Sequence, residues 1–180
     1  MFADSLLTVL ALGALAPGHH AGDYWLQSDH QALHKGDPGR AGRAACARHV
    51  ASLTAAQAAL LALALMVTGT PAALLSVAAG LAVNAVWHGW IDRRWTLRGL
   101  MLATERWTSK RGFFDHGGAA PMDQAAHRVV LLPAALAIAA PPLTAGIILA
   151  ASLAVLGVCH VVARRAVLRD ARRQAAATAS

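Results

Sequence analysis

The sequence predicts an all-α fold, an integral membrane helical bundle of about five transmembrane helices plus a cytoplasmic interfacial helix, and three observations carry that prediction. The first is the pair of long uncharged blocks. From His49 to Ile91 there are 43 residues without Asp, Glu, Lys or Arg, and from Val129 to Ala163 there are 35. A spanning helix needs about 20 apolar residues, so each block has room for two spans and a tight turn. The second is that turn residues sit where such a division needs them, Gly69-Thr70-Pro71 in one block and Pro141-Pro142 in the other. The third is the distribution of charge. All 16 Lys and Arg fall in three groups, Lys35 to Arg48, Arg93 to Arg128 and Arg164 to Arg173. That alternation follows the positive-inside rule for five spans with the N-terminus outside and the C-terminus in the cytoplasm. A soluble bundle rich in Ala and Leu would need a polar face on each helix, and these blocks have none.

The elements follow in order. Residues 2–16 resemble a signal peptide in their apolar core, but Asp4 and the lack of any Lys or Arg before it contradict one. Residues 2–26 therefore read as the first span, with Pro17 expected to kink it and open space beside His19. The loop 28–43 contains His30 and His34, whose polar setting makes them solvated. The second span, 44–68, places Gln57 toward the bundle interior, where an intramembrane amide finds partners. The third, 71–91, ends among Trp87 and Trp90 at the level of an interfacial aromatic belt. The cytoplasmic loop 93–121 carries Leu97, Leu100, Met101, Thr104 and Trp107 at helical spacing, which predicts a helix lying in the interface. The segment from Lys110 through Gly117-Gly118 reads as a lid or a plain loop, and His116 within it as solvated. Spans 122–140 and 143–163 complete a single transmembrane domain, 1–163, and the basic cytoplasmic tail 164–180 ends in a stretch, from Ala176, expected to be disordered.

The net charge of +7 raises nucleic acid as a partner, yet the basic residues are spread by topology and no reader motif accompanies them, so the expected partner is the lipid bilayer. The two cysteines, Cys46 and Cys159, lack a Cys-x-x-Cys neighbour and read as reduced packing residues.

Chemistry concentrates at helix ends. His19, Asp23 and Gln27 would share one helical stripe, each about 40° round and about 6 Å along from the last. His88 and Asp92 repeat the spacing after Asn84, and Asp123 and His127 reverse it. In the five-span topology these three pairs and His49 all lie on the cytoplasmic side at similar depth. Carboxylates there must be paired, bound to a cation or open to water, because burying them in lipid costs a few kcal/mol at least. Three readings follow. Imidazoles and carboxylates on facing helices are a recurring way to hold Zn, Mn or Fe, with a spare Asp as general base for hydrolysis of a lipid or a small phosphate or ester. The same groups could lock helix ends together without chemistry, in a non-enzymatic membrane scaffold or partner-binding protein. A proton or ion path is disfavoured by the outer half, where Asp4 is the one charged residue. The metal reading assigns His19, Asp23, His49, His88, Asp92, Asp123 and His127 as ligands, with Asp23 and Asp92 as catalytic carboxylates. His20, His30, His34 and His160 are left without a role.

The order His19-x-x-x-Asp23-x-x-Leu26-Gln27, Lys35, His49, His88-x-x-x-Asp92 and Asp123-Gln124-x-x-His127 resembles the uncharacterised family of bacterial and phage membrane proteins known as domain of unknown function 3307. The resemblance covers about residues 6–140. It implies a small polytopic protein of the bacterial inner membrane and carries no established activity. A looser likeness in pattern to predicted membrane-bound metal-dependent hydrolases favours hydrolysis, without a residue-by-residue match.

Overall fold

The acidic residue nearest the start of the chain opens the first helix. Asp4 accepts a hydrogen bond from the Leu7 amide at 2.7 Å and caps α1 (Ser5–Ala21). In the computed structural model, which describes residues 3–178, α1 runs into a π-helical turn (Gly22–Leu26). There follow α2 (Asp29–His34), α3 (Gly39–Thr68), α4 (Leu74–Ile91), α5 (Trp95–Thr108), the single turn α6 (Arg111–Phe113), a second π-helical turn (Phe114–Gly118), α7 (Ala119–Ala139) and α8 (Pro142–Thr178). No strand occurs among the described residues, as the all-α prediction requires.

Three helices, α3, α4 and α8, are long and apolar enough to cross a membrane. The other two segments read as spans fall short of that measure. α1 has 17 residues, and α7 carries Asp123, Gln124, His127 and Arg128 in its first half. Only 6% of the apolar window of α8 is buried within the bundle. Its outward Leu143, Ile147 and Val158 form an apolar surface of the kind that water does not cover well.

α1 packs antiparallel against α3 and α7, and α4 against α7, while α5 runs alongside α8 in the same direction, Trp95 by His160 and Gly99 by Ala163. Leu15, Leu61, Val83, Leu131 and Ile138 fill the centre. Gly80 lets α4 and α7 touch: a Cβ there would lie 2.5 Å from the Ala134 carbonyl oxygen. At the end away from the histidines, Ser76 Oγ donates to the Ala140 carbonyl at 2.7 Å and the Asp4 amide to the Ala139 carbonyl at 3.0 Å. α3 stops at Gly69, whose φ of +64° gives the left-handed cap that glycine adopts without strain. The turn predicted at Gly69-Thr70-Pro71 lies between α3 and α4, and of the other predicted pair Pro141 lies between α7 and α8 while Pro142 begins α8.

Several expectations need correction. α8 does not stop at the expected end of the fifth span but continues through the basic segment to Thr178, and the rest of the tail, where disorder is expected, lies outside the described residues. Helix α5 forms where the spacing predicted it, but its Leu97 and Met101 are buried within the protein and its Gly99 face lies against α8, while Trp107 points outward under the Arg106 guanidinium, 3.8 Å from the ring centroid. Pro17 sits inside a continuous helix, and the cleft beside it is an apolar groove between α1 and α3 lined by Val9, Gly13 and Leu60, remote from the histidines. Beyond Pro17 the two helices close up instead of opening, since a Cβ on Gly18 would come within 2.9 Å of Gln57.

Candidate metal centre

The antiparallel packing brings the C-terminal ends of α1 and α4 beside the N-terminal halves of α3 and α7. His19, His49, His88, Asp92 and His127 are each at most 2% exposed, and the Asp23 side chain is 7% exposed. His19 comes from α1 and Asp23 from the π-helical turn that prolongs it. Local π insertions re-aim side chains and are frequent at functional sites. His49 lies on α3, His88 on α4, Asp92 at the cap of α4, and Asp123 and His127 on α7.

The centre of the cluster is the pair His49 and His88, whose Nε2 atoms are 3.0 Å apart. Asp23 Oδ1 lies 3.1 Å from His49 Nε2 and 3.5 Å from His88 Nε2. Asp92 Oδ2 lies 3.3 Å from each. Two nearly equilateral triangles of donor atoms thus share the imidazole pair as a common edge. The outer oxygen of each carboxylate faces a further histidine. His19 Nε2 is 3.3 Å from Asp23 Oδ2, and His127 Nε2 is 3.8 Å from Asp92 Oδ1. Asp123, with 27% of its side chain exposed, reaches His127 Nδ1 at 3.3 Å from the rim. Every predicted ligand is therefore in one continuous cluster, and three overlapping triads in it have metal-ligand spacing: His19, Asp23 and His88; His49, His88 and Asp92; Asp92, Asp123 and His127.

Hydrogen bonding leaves the cluster incomplete. Asp23 Oδ1, both Asp92 oxygens, His19 Nε2 and both His127 nitrogens are buried without an aligned hydrogen-bond partner among the described residues, although each has an oppositely charged or imidazole neighbour close by. Such orphans are rare in folded proteins and point to a missing ion or water. The Nδ1 atoms of His19, His49 and His88 are also without partners, which is the one feature a metal centre would normally supply from a carboxylate or carbonyl and this one does not.

Two residues absent from the sequence assignment complete the site. Lys35 Nζ contacts Asp92 Oδ1 at 2.7 Å, with 12% of its side chain exposed. Gln124 Nε2 donates to Asp23 Oδ2 at 3.1 Å. Burial alone would raise the Asp92 carboxyl, but contact with His88 and the charge of Lys35 outweigh it and hold the group ionised, well below the usual carboxylate range. Gln27 leaves the predicted stripe, because the helix ends at Leu26 and Gln27 turns to an extended backbone. Asn84 donates to Gln57 Oε1 at 2.7 Å, and Gln57 donates to the Leu15 carbonyl at 3.1 Å, so this pair lies beneath the cluster as a polar relay. His34 pairs with exposed Asp37 at 2.7 Å and stacks near His30, outside the cluster.

A cavity of about 640 Å³ opens onto Asp92 and Asp123. Lys35, Arg93, Arg94 and Arg98 supply its charged wall, and Trp95 and Phe114 part of its apolar wall. Comparison with known proteins identifies no matching family model, curated protein or solved structure.

Proposed function

We propose that this chain is a five-span inner-membrane protein of the kind its resemblance to domain of unknown function 3307 implies, with a cytoplasm-facing centre that binds a divalent Zn, Mn or Fe ion and uses it for hydrolysis. Substrates of the right class are a lipid-linked or small phosphate or ester. The observation that carries the metal is a count of protons. Among Asp23 Oδ1, His49 Nε2, His88 Nε2 and Asp92 Oδ2 there are five approaches of 3.0–3.5 Å. Each imidazole Nε2 carries at most one proton, and protonating both carboxyls would add only two more. Those protons leave Asp23 Oδ1 and Asp92 Oδ2 without an aligned hydrogen bond, and neutralising both carboxyls would strand Lys35. One cation answers that shortfall. An ion with bonds of about 2.0–2.1 Å would hold neighbouring donors about 3.3 Å apart, which is the spacing of His49, His88 and Asp92 here.

Such an ion lowers the pKa of a bound water and polarises the oxygen of a phosphoryl or acyl group. Whichever of Asp23 and Asp92 did not hold the ion would take the proton of a water adding to the phosphorus or carbonyl carbon and would return it to the alkoxide as the ester bond broke. The competing reading, a lock of His–Asp and Lys–Asp contacts between helix ends, is favoured by the Lys35–Asp92 pair at 2.7 Å and the Gln124–Asp23 bond at 3.1 Å. Metal analysis after mild detergent purification separates the two. Stoichiometric metal in the wild type, lost in a folded His88→Ala variant, is the expected result. Wild type without stoichiometric metal would sink the hydrolase and leave the lock.

A further inference from the structure

The cavity beside the cluster has a chemistry of its own. Four basic residues face it against two carboxylates, Asp92 and Asp123. Of the four, Lys35 is matched by Asp92 and Arg98 by Asp170 Oδ2 at 3.0 Å, an aspartate that Arg111 also shares at 3.0 Å. Arg93 and Arg94 are not matched by any anion among the described residues. Arg93 donates to the carbonyls of Lys35 and Asp37, and Arg94 to the carbonyl of Ala32 at 2.6 Å. Backbone carbonyls fix the guanidinium planes but do not cancel their charge. Each guanidinium has five N–H donors, so most remain free for a ligand. Trp95, Leu97, Phe114 and Ala120 give the cavity its apolar lining. A volume of about 640 Å³ is that of a pocket for one small organic molecule.

We propose that this cavity binds a phosphate ester, its anionic head on Arg93, Arg94 and Arg98 and its alcohol part on the apolar wall. A neutral ester would leave two fixed guanidinium charges unanswered. A planar fork of donors suits phosphate oxygens bidentately. This rests on the proposed metal centre for what becomes of the ligand, and on the cavity alone for its binding. The phosphate can belong to a soluble metabolite or to a lipid headgroup.

Calorimetry on the full chain in phosphatidylcholine nanodiscs tests it, with hexyl phosphate, inorganic phosphate and methyl hexanoate as probes and metal content measured on the same samples. The expected result is one hexyl phosphate per chain, bound at least about tenfold more tightly than inorganic phosphate, with no displacement by methyl hexanoate. Arg94→Gln and Arg98→Gln should each weaken it about tenfold or more. Raising salt from about 0.05 M to about 0.5 M should weaken it in the unmodified protein, a readout that needs no variant to fold. Displacement of hexyl phosphate by nanodiscs containing phosphatidate assigns the site to a lipid headgroup, and its absence assigns it to a soluble ester; both uphold the class. Absence of hexyl phosphate binding, equal binding of methyl hexanoate, or affinity that neither salt nor a folded variant alters overturns the inference. Metal present with any of those outcomes refutes the substrate alone, whereas metal absent with phosphate bound refutes the hydrolase alone.

Discussion

Replacing Asp92 by Asn keeps the shape of the side chain and removes one anionic donor, so it tests the centre with little change of packing. Asp92 lies 3.3 Å from both His49 and His88 and caps the helix that carries His88. A ligand that binds only the folded chain at about one hundred times its Kd stabilises it by about 2.7 kcal/mol. For a chain of this size each kcal/mol is worth about 2–4 °C, which gives the wild type a metal-dependent gain in Tm of about 5–10 °C. Losing a group that merely supports a metal ligand weakens such sites by about 10–100-fold, so losing the ligand itself takes at least the upper figure. At the same metal concentration Asp92→Asn then keeps only about 0.4 kcal/mol, or about 1 °C. The substitution also strands Lys35, whose amine is 2.7 Å from Asp92, and so lowers the metal-free Tm by up to about 3 kcal/mol equivalent. The quantity to compare is therefore the shift on adding Zn, Mn or Fe after chelation, read by scanning fluorimetry in detergent. Equal shifts in the two proteins, or none in the wild type, would refute the assignment of Asp92 as a ligand.

Two further expectations concern the scaffold. Gln57→Leu removes the partner of the Leu15 carbonyl and of Asn84 Nδ2, and unpaired buried polar groups should lower Tm by about 4–8 °C, for a loss of about 2 kcal/mol, while metal content stays at the wild-type value. Reporter fusions should place the Gly69-Thr70 turn and Pro141 outside the membrane and Ser109 and the tail in the cytoplasm; a Ser109 fusion reporting outside would contradict the five-span topology.

The helices were legible because apolar blocks, turn residues and spaced polar stripes are local patterns. Which histidines meet was legible for a related reason: a charge pattern that alternates between helix ends also sorts His19, His49, His88 and His127 to one end. Gln57 was recognised as interior from its isolation in an apolar run. Other contacts have no local signature. Lys35 follows a short helix capped by Ser28 and reaches Asp92 only because Arg93 and Arg94 hold that loop by its carbonyls. Arg98 and Asp170 are 72 positions apart and meet because α8 continues straight past its apolar stretch. Pro17 shows the opposite error. A proline kink predicts open space beside the site, but Gly18, the next residue, lets α3 come so close that Gln57 fills that side.

Charge balance joins the cluster to the cavity. With neutral imidazoles, Asp23 and Asp92 against Lys35 leave the buried centre with one negative charge in excess, and Asp123 at the rim adds to it. A divalent ion cancels that excess, beside a wall where Arg93 and Arg94 already stand unmatched. A phosphate ester should consequently bind more tightly once metal is present, because the same low-dielectric pocket that penalises the isolated charges strengthens the attraction between them. Linkage makes the effect reciprocal: whatever factor metal adds to hexyl phosphate affinity, hexyl phosphate adds to metal affinity. Coupling between bound ligands is commonly worth about 5–150-fold, well within reach of calorimetry run in both orders. A metal affinity that ignores saturating hexyl phosphate would mean that the two features share a mouth and no chemistry, and the cluster would then have to act on something that does not rest on the arginines.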